Sequence, residues 1–258
     1  MPQAEETQLL AEMPVAEMER AIEALERFTQ PERLGRLQDV LNKRTAHLCT
    51  VFENPSNPNN VWAALRTIDS FGIQNVHVIA DPELYIKKGR LLTMSSAMGS
   101  QKWLSLHGHD SAADCARALK ARGYRIIGSS LGPGAVPMDA IDWSARRVAV
   151  AFGNEKTGLS EGLLAQCDQT FYIPMRGFAE SFNVSVALSI VLASAAAGGG
   201  LRGGDLGEGE RRAVYLRWLL RTVAAGESVL QREGIALPQS MSLRRTEEGI
   251  AGFSTLRT

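Results

Sequence analysis

The stretch HLCTVFENPSNPNNVWAALRT, residues 47–67, contains both kinds of element from which this chain is predicted to be built. Residues 47–53 are largely apolar on consecutive positions, which is typical of a strand covered on both faces of a sheet. Residues 60–71 predict a helix, because asparagines and a proline precede an apolar run and Gly72 ends it. One arginine, Arg66, lies within this apolar helix, either as a solvated charge or as part of a site.

The same alternation of strand and helix continues along the chain. Further strands are predicted in NVHVIA, KWLSLH, YRIIGSSL, RRVAVAFG and QTFYIPM, and further helices over residues 111–122, after Ser160 and over 181–197. Ser111, Ser160 and Ser181 are the expected N-caps of these helices. The pattern predicts an α/β domain with a mainly parallel sheet over residues 46–197.

The flanking segments differ in composition from this domain. Residues 1–45 predict a helical N-terminal extension, an acidic arm followed by a basic helix that begins at Pro31. Residues 198–209 contain seven glycines and predict a flexible linker. Residues 210–258 predict a C-terminal helix and tail, and residues 83–101 a mobile segment.

Composition and missing motifs exclude several classes of protein. The charges of the 28 basic and 28 acidic residues cancel, so the net charge does not indicate a nucleic-acid partner. A net charge of zero is still compatible with a local basic face. The three cysteines form no CxxC pair and the four histidines show no convincing ligand spacing, so neither disulfides nor a metal are expected. The sequence has no P-loop and no GxGxxG motif. No signal peptide is recognised, and the apolar run at 184–197 is shorter than the ~20 residues that span a bilayer, so we expect a cytoplasmic protein.

Three loops follow predicted strands, where open α/β sheets bind their ligands. Their sequences are ENPSNPNNVWAALRT, GNEKTGLSEGLL and IPMRGFAESFNVSVALSI. A turn followed by the Ser160 cap would account for the second loop. In the third loop Ser181 accounts for one polar residue, but Asn183, expected inside the first helical turn, suggests bracing of neighbouring loops.

In this order the three loops resemble the motifs of the SpoU/TrmH family of RNA ribose 2′-O-methyltransferases, in the SPOUT superfamily. The matching patterns are NxxNVxAxxRT, GNEKTGLS and IPMxGxxxSxNVSVA. The resemblance implies a SPOUT-type parallel sheet flanked by helices, with a C-terminal deep trefoil knot, and a homodimer formed through the knot. It implies S-adenosyl-L-methionine as cofactor. The segments RLGRLQDVLNKR and AHLCTVFENPSNPNN are similar to the branch that methylates guanosine 18 in the D-loop of tRNA.

Carried over residue by residue, the resemblance implies a catalytic role for Arg66, with Asn60 and Glu155 supporting it. Arg66 would act either as a base or by stabilising the developing alkoxide. The implied cofactor-binding residues are Ser129, Leu131, Gly153, Asn154, Ile173, Met175, Phe182 and Asn183. Phe182 stands where the family usually has leucine. The candidate RNA-binding residues are Arg33, Arg36, Lys43, Arg44, Lys87, Lys88 and Arg90.

Two other functions remain open at this point. The first is the same reaction on ribosomal RNA, which we disfavour because residues 1–45 are too few for a separate L30e-like domain. The second is an RNA-binding protein that has lost catalysis, against which the presence of Asn60, Arg66, Glu155 and Asn183 argues.

Overall fold

The computed structural model describes residues 2–56, 58–80 and 99–238. The chain forms two compact units: Lys43–Asp205 is one, and the segments before and after it form the other. Most of the segment predicted to be mobile, with Lys87, Lys88 and Arg90, lies outside the described residues. The division differs from the expected one, because the N-terminal and C-terminal extensions belong to the same unit.

The Lys43–Asp205 unit is built on a seven-stranded sheet in the order β3-β2-β1-β6-β4-β7-β5. Every strand pairing is parallel, as the consecutive apolar residues predicted. All residues of β1, β2 and β6 are buried, so these strands are covered on both faces. The strands are β1 Leu48–Glu53, β2 Asn75–Ile79, β3 Ser105–His109, β4 Arg125–Ser129, β5 Val136–Pro137, β6 Val148–Phe152 and β7 Gln169–Tyr172.

Within the described residues, four α-helices accompany this sheet: α4 Pro58–Ser70, α5 Ala112–Ala121, α6 Glu161–Leu164 and α7 Val184–Ala197. Helix α4 packs against α7, and α5 packs against α6. The hydroxyl oxygens of Ser111 and Ser160 cap α5 and α6, as predicted. The expected start of α7 at Ser181 is wrong: Asn183 is the N-cap, and its Oδ1 accepts a hydrogen bond of 2.9 Å from the Ser185 backbone N–H. No helix within the described ranges is long and apolar enough to span a membrane.

The second unit is helical and has α8, Glu208–Thr222, at its centre. Its other helices are α1 Pro2–Ala11, α2 Val15–Glu26, α3 Pro31–Leu41 and α9 Gly226–Arg232. All four pack on α8, in which every residue from Ala213 to Leu220 is buried. A helix that is buried around its whole circumference needs partners on several sides, and the N-terminal segment supplies them.

The acidic arm takes part in this packing. Glu6 is only 2% exposed, and its carboxylate pairs with the Arg221 guanidinium at 2.8 Å. The Glu26 carboxylate accepts a hydrogen bond of 2.7 Å from the Tyr215 hydroxyl. Arg217 is fully buried. These acidic side chains therefore stabilise the helical unit itself.

The glycine-rich segment is packed against the sheet unit over its first half. A Cβ atom on Gly200 would lie 2.7 Å from Trp143 Cβ and 2.9 Å from its carbonyl oxygen. The Gly204 N–H donates to the Arg44 carbonyl at 2.8 Å, and Asp205 Oδ1 accepts from the Ala46 N–H at 2.7 Å. Residues 198–205 therefore have defined contacts, in contrast to the flexible linker that composition predicted.

This packing makes Gly200→Ala a test of the segment's role. Because the added methyl group would overlap Trp143, we expect it to lower the free energy of unfolding by about 1–3 kcal/mol, measured by urea denaturation. Gly177→Ala is the matched control, since nothing lies within 4 Å of its added Cβ atom. Equal stability of the two variants would show that residues 198–205 are only loosely attached.

Candidate active site

The loops that follow β1, β6 and β7 meet beyond the carboxyl ends of these parallel strands. β6 lies between β1 and β4, and β7 lies on the other side of β4. Parallel pairing brings the ends of all these strands to one edge, so segments distant in sequence become neighbours. The three motif-bearing loops are thus brought together as the sequence predicted.

The Glu155 carboxylate connects the second loop to the first. Its Oε2 accepts hydrogen bonds from the Ser56 backbone N–H at 2.7 Å and the Ser56 hydroxyl at 2.5 Å. Its Oε1 accepts a hydrogen bond of 2.7 Å from Asn60 Nδ2. Both carboxylate oxygens are therefore occupied by donors from the loop and helix after β1.

The third loop joins this network through Asn183. Its Nδ2 donates to Asn60 Oδ1 at 3.2 Å, while its Oδ1 accepts from the Ser185 N–H and hydroxyl. Asn60 therefore donates to Glu155 and accepts from Asn183, which uses both ends of its amide. The expected bracing role of Asn183 corresponds to these contacts.

The network changes the ionisation of Glu155. Burial favours the protonated carboxyl, but the hydrogen bonds from Ser56 and Asn60 favour the carboxylate and together outweigh burial, so the pKa of Glu155 is lowered from its usual value. Glu155 is ionised at neutral pH and holds the loops as an acceptor.

The second loop is folded tightly on itself at its two glycines. Asn154 and Gly158 exchange backbone hydrogen bonds of 2.9 and 2.8 Å, and Asn154 Nδ2 donates to the Asn54 carbonyl at 2.6 Å. Gly158 has φ of 72°, which favours glycine. A Cβ on Gly153 would lie 2.1–2.3 Å from the backbone of Gly158 and Leu159, so only glycine fits there.

A second carboxylate, Glu53, was not identified from the sequence. It ends β1, is 3% exposed, and accepts from the Ser160 N–H at 2.8 Å and from the Ser160 hydroxyl at 2.7 Å. The sequence feature that could have pointed to Glu53 is an acidic residue at the end of an otherwise apolar strand. Ser56 was missed as well, because its role depends on Glu155, 99 residues away.

These loops surround a cavity of about 550 Å³. Seven of the eight predicted cofactor-binding residues line it: Ser129, Leu131, Gly153, Asn154, Ile173, Met175 and Phe182. The eighth, Asn183, follows Phe182 in the chain and braces Asn60. Lining residues that the sequence did not indicate include Ser130, Phe152, Tyr172, Glu180 and Ser181.

Arg66 occupies a different position from its two predicted supports. Asn60 and Glu155 are hydrogen-bonded to each other, whereas Arg66 is exposed on α4 and is not among the described residues that line the cavity. Arg66 lies six positions after Asn60, and at about 100° per residue their side chains leave the helix in different directions. Arg66 is therefore an exposed residue of α4 and lies apart from the Asn60–Glu155 contact.

The predicted RNA-binding residues also divide. Arg33, Arg36 and Lys43 are exposed. The prediction that Arg44 contacts RNA is wrong. Arg44 is 1% exposed, its guanidinium pairs with Asp69 at 2.5 Å, and it donates to the Ile73 carbonyl at 3.2 Å. Arg44 is thus a buried structural residue and cannot contact phosphates.

Comparison with known proteins identifies the chain as an RNA methyltransferase. The model of the SpoU rRNA Methylase family matches residues 47–193. The chain belongs to this family.

Individual relatives agree with this assignment. The chain is 34% identical over 175 residues to the tRNA (guanosine(18)-2'-O)-methyltransferase of Borreliella burgdorferi, covering 68% of this chain and 78% of that protein. It superposes on the TrmH/SpoU tRNA modifying enzyme of A. aeolicus with a TM-score of 0.66 and 28% identity, covering 75% of this chain and 98% of that one. It also resembles AviRb of Streptomyces viridochromogenes, solved in complex with the cofactor AdoMet, with a TM-score of 0.50 and 25% identity over 61% of this chain and 59% of that one.

The Ser56–Glu155 contact predicts a change in the pKa of Glu155. Ser56→Ala removes the hydroxyl donor, so we expect this pKa to rise towards its usual value, measured by NMR of the carboxyl carbon against pH. Because the pKa is lowered in the folded protein, the stabilisation by ionised Glu155 is present above the usual carboxyl pKa and is lost as pH falls through the folded value.

Ser144→Ala is the matched control for this measurement. The Ser144 hydroxyl donates to Asp142 Oδ1 at 2.9 Å, and this bond is the largest cause of the lowered pKa of Asp142. The control should move the pKa of Asp142 and leave that of Glu155 in place. An unchanged Glu155 in Ser56→Ala would contradict the assigned network.

Proposed function

We propose that this RNA methyltransferase transfers a methyl group to the ribose 2′-hydroxyl of guanosine 18 in tRNA. The observation that carries the proposal is the network in which Glu155, Asn60 and Asn183 fasten three loops around one cavity. Similarity to tRNA (guanosine(18)-2'-O)-methyltransferases supports the choice of nucleotide. We expect the protein to act in the cytoplasm.

The cavity fits S-adenosylmethionine. Its volume lies within the ~300–1,000 Å³ that is common for small-molecule sites. Leu131, Ile173, Met175 and Phe182 supply apolar surface for the adenine ring, and the loop from Gly153 supplies backbone donors and acceptors. When bound, the cofactor supplies the electrophilic methyl group of its sulfonium.

Glu155 and Asn60 act as positioning residues in this proposal. Both oxygens of Glu155 already accept hydrogen bonds from Ser56 and Asn60. A carboxylate so occupied and of lowered pKa is a poor base for a ribose hydroxyl. Its role is to keep the loop and α4 in register with the cavity.

Arg66 is assigned the catalytic role. As the methyl group leaves the sulfonium sulfur and bonds to the 2′-oxygen, the hydroxyl proton passes to solvent and negative charge grows on that oxygen in the transition state. The planar guanidinium can donate two parallel hydrogen bonds, one towards that oxygen and one towards a neighbouring phosphate. An arginine is a weak base, which favours charge stabilisation over proton abstraction.

We infer that Arg66 completes the site of a second protomer. It is exposed on α4, and α4 packs on α7. Helix α7 buries Leu188 and Val191 inside the chain but leaves Val186 45% exposed. Val186 starts an apolar row along α7 that continues through Ile190 and the exposed Ala193 and Ala197. Such a row suits a homodimer interface that would bring Arg66 to the partner's cavity.

Two further features of the proposal concern topology and RNA contacts. β4 precedes β6 and β7 in the chain yet lies between them in the sheet, an order that supports the proposed trefoil knot.

Exposed Arg33, Arg36 and Lys43 are proposed phosphate contacts. Lys87, Lys88 and Arg90 stay predictions.

Cofactor binding is tested first with Gly153→Ala. The added methyl group would overlap the backbone of Gly158 and Leu159, so the loop must move and we expect affinity for S-adenosylmethionine to fall at least tenfold in calorimetric titration. Gly162→Ala is the control, because the nearest atom to its added Cβ is 3.7 Å away. Unchanged affinity in Gly153→Ala would place the cofactor elsewhere.

Methyl transfer is tested with labelled cofactor and an unmodified tRNA transcript. We expect label at nucleotide 18, and none when that position carries 2′-deoxyguanosine.

Arg66→Ala should lower kcat by about 10²-fold or more, as expected for loss of a transition-state donor, while cofactor affinity is kept. Arg66→Lys should also lose turnover; near-normal activity would contradict the role of the planar guanidinium.

Two outcomes bear on the alternatives. Label in ribosomal RNA but not in tRNA would overturn the substrate assignment.

Mixing Arg66→Ala subunits with Gly153→Ala subunits tests whether the active site is shared between protomers. If Arg66 serves the partner's site, random exchange of subunits restores about a quarter of wild-type activity, because half of the dimers then have one intact site. No recovery after exchange would place Arg66 in its own subunit's site.

A further inference from the structure

Three histidines and a cysteine lie together on the opposite half of the sheet from the cavity. His77 on β2 is the register partner of His107 on the edge strand β3, and His109 follows two residues later on the same face. The His77 and His107 rings stack with centroids 4.4 Å apart. His77 Nδ1 and His109 Nε2 are hydrogen-bonded to each other at 2.9 Å.

Cys115 reaches the same place from α5. It is fully buried and belongs to the core packed against this face of the sheet. One ligand atom each from His77, His109 and Cys115 lie within 4.8 Å of one another. None of the three lines the cavity described above.

One polar atom of this cluster is unsatisfied. His77 is 2% exposed, and its Nε2 has no hydrogen-bond partner among the described residues. Burying a polar atom without a partner is costly, and such atoms in folded proteins call for an explanation, a bound ion being one. His107 differs, because its Nε2 is hydrogen-bonded to Asn75 Oδ1 at 2.8 Å.

We propose that His77, His109 and Cys115 form a zinc site that ties β2, β3 and α5 together. Two imidazoles and one thiolate are ligands that Zn²⁺ prefers, with distances of about 2.0–2.1 Å to nitrogen and 2.3 Å to sulfur. Three protein ligands leave one position for water, and the half-buried His109 gives the site a route to solvent. The sequence predicted no metal, because these residues lie in separate elements without a spacing motif.

Coordination requires a proton to leave the thiol. Burial, and secondarily the charge of Glu53, raises the pKa of Cys115 to about 12, so the metal-free thiol is protonated. On binding, the S–H bond is lost, a sulfur–zinc bond forms, and the proton passes to solvent. The oxidation state of zinc does not change.

The test uses untagged full-length protein, stripped with a chelator and titrated with Co²⁺ as a spectroscopic stand-in for Zn²⁺. We expect one equivalent to produce tetrahedral d–d bands and a thiolate-to-cobalt charge-transfer band, and Zn²⁺ to displace them. Zn²⁺ should also raise the Tm of the wild-type protein. Absence of the charge-transfer band from the wild type would overturn the proposal.

Cys49→Ala is the matched control for Cys115→Ala. Both thiols are fully buried in the same core, but Cys49 is not in the three-residue group. The band and the Tm rise should survive in Cys49→Ala and vanish in Cys115→Ala. A band retained in Cys115→Ala would contradict the assignment.

His109→Gln provides a second variant at a half-buried position, useful if Cys115→Ala does not fold. Loss of one of three ligands should weaken Co²⁺ binding at least tenfold, whereas unchanged affinity in this variant would overturn the site. These readouts are independent of methyl transfer, so a failed metal test leaves the proposed methyltransferase reaction intact.

Discussion

Parallel pairing of the strands is the constraint on which the site depends. Because β1, β6, β4 and β7 lie side by side and run in one direction, the loops that follow them gather at one edge. These loops bring polar backbone groups together, and those groups need hydrogen-bond partners. Two carboxylates at the same edge, Glu53 and Glu155, each accept hydrogen bonds from a backbone N–H and from a side-chain hydroxyl.

The two carboxylates have different tasks. Glu53 ends β1 and fixes Ser160, the N-cap of α6, so it anchors the far end of the second loop. Glu155 lies at the tip of that loop and receives Ser56 and Asn60 from the first. Asn183 then joins the third loop to Asn60. The cavity keeps its shape because the loops around it are bonded to each other as well as to the sheet.

Local sequence patterns predicted the elements better than the side-chain roles. Consecutive apolar residues located β1 and β6, and serine caps located the starts of α5 and α6. The same local reasoning took Arg44 for a basic surface residue. Its burial depends on Asp69, 25 residues later on another element, which no local charge pattern reveals.

The sequence by itself determined the α/β class, the three motif loops and seven of the residues that line the cavity, because strand periodicity, caps and motif residues are local features. Only the tertiary structure decided that Asn183 caps α7 and has Asn60 as its bracing partner, that Arg66 is exposed on α4 outside the lining of its own cavity, and that His77, His109 and Cys115 converge. Those relations depend on strand order and helix packing. Both bring together residues that are separated in the chain, so their chemistry has no local signature.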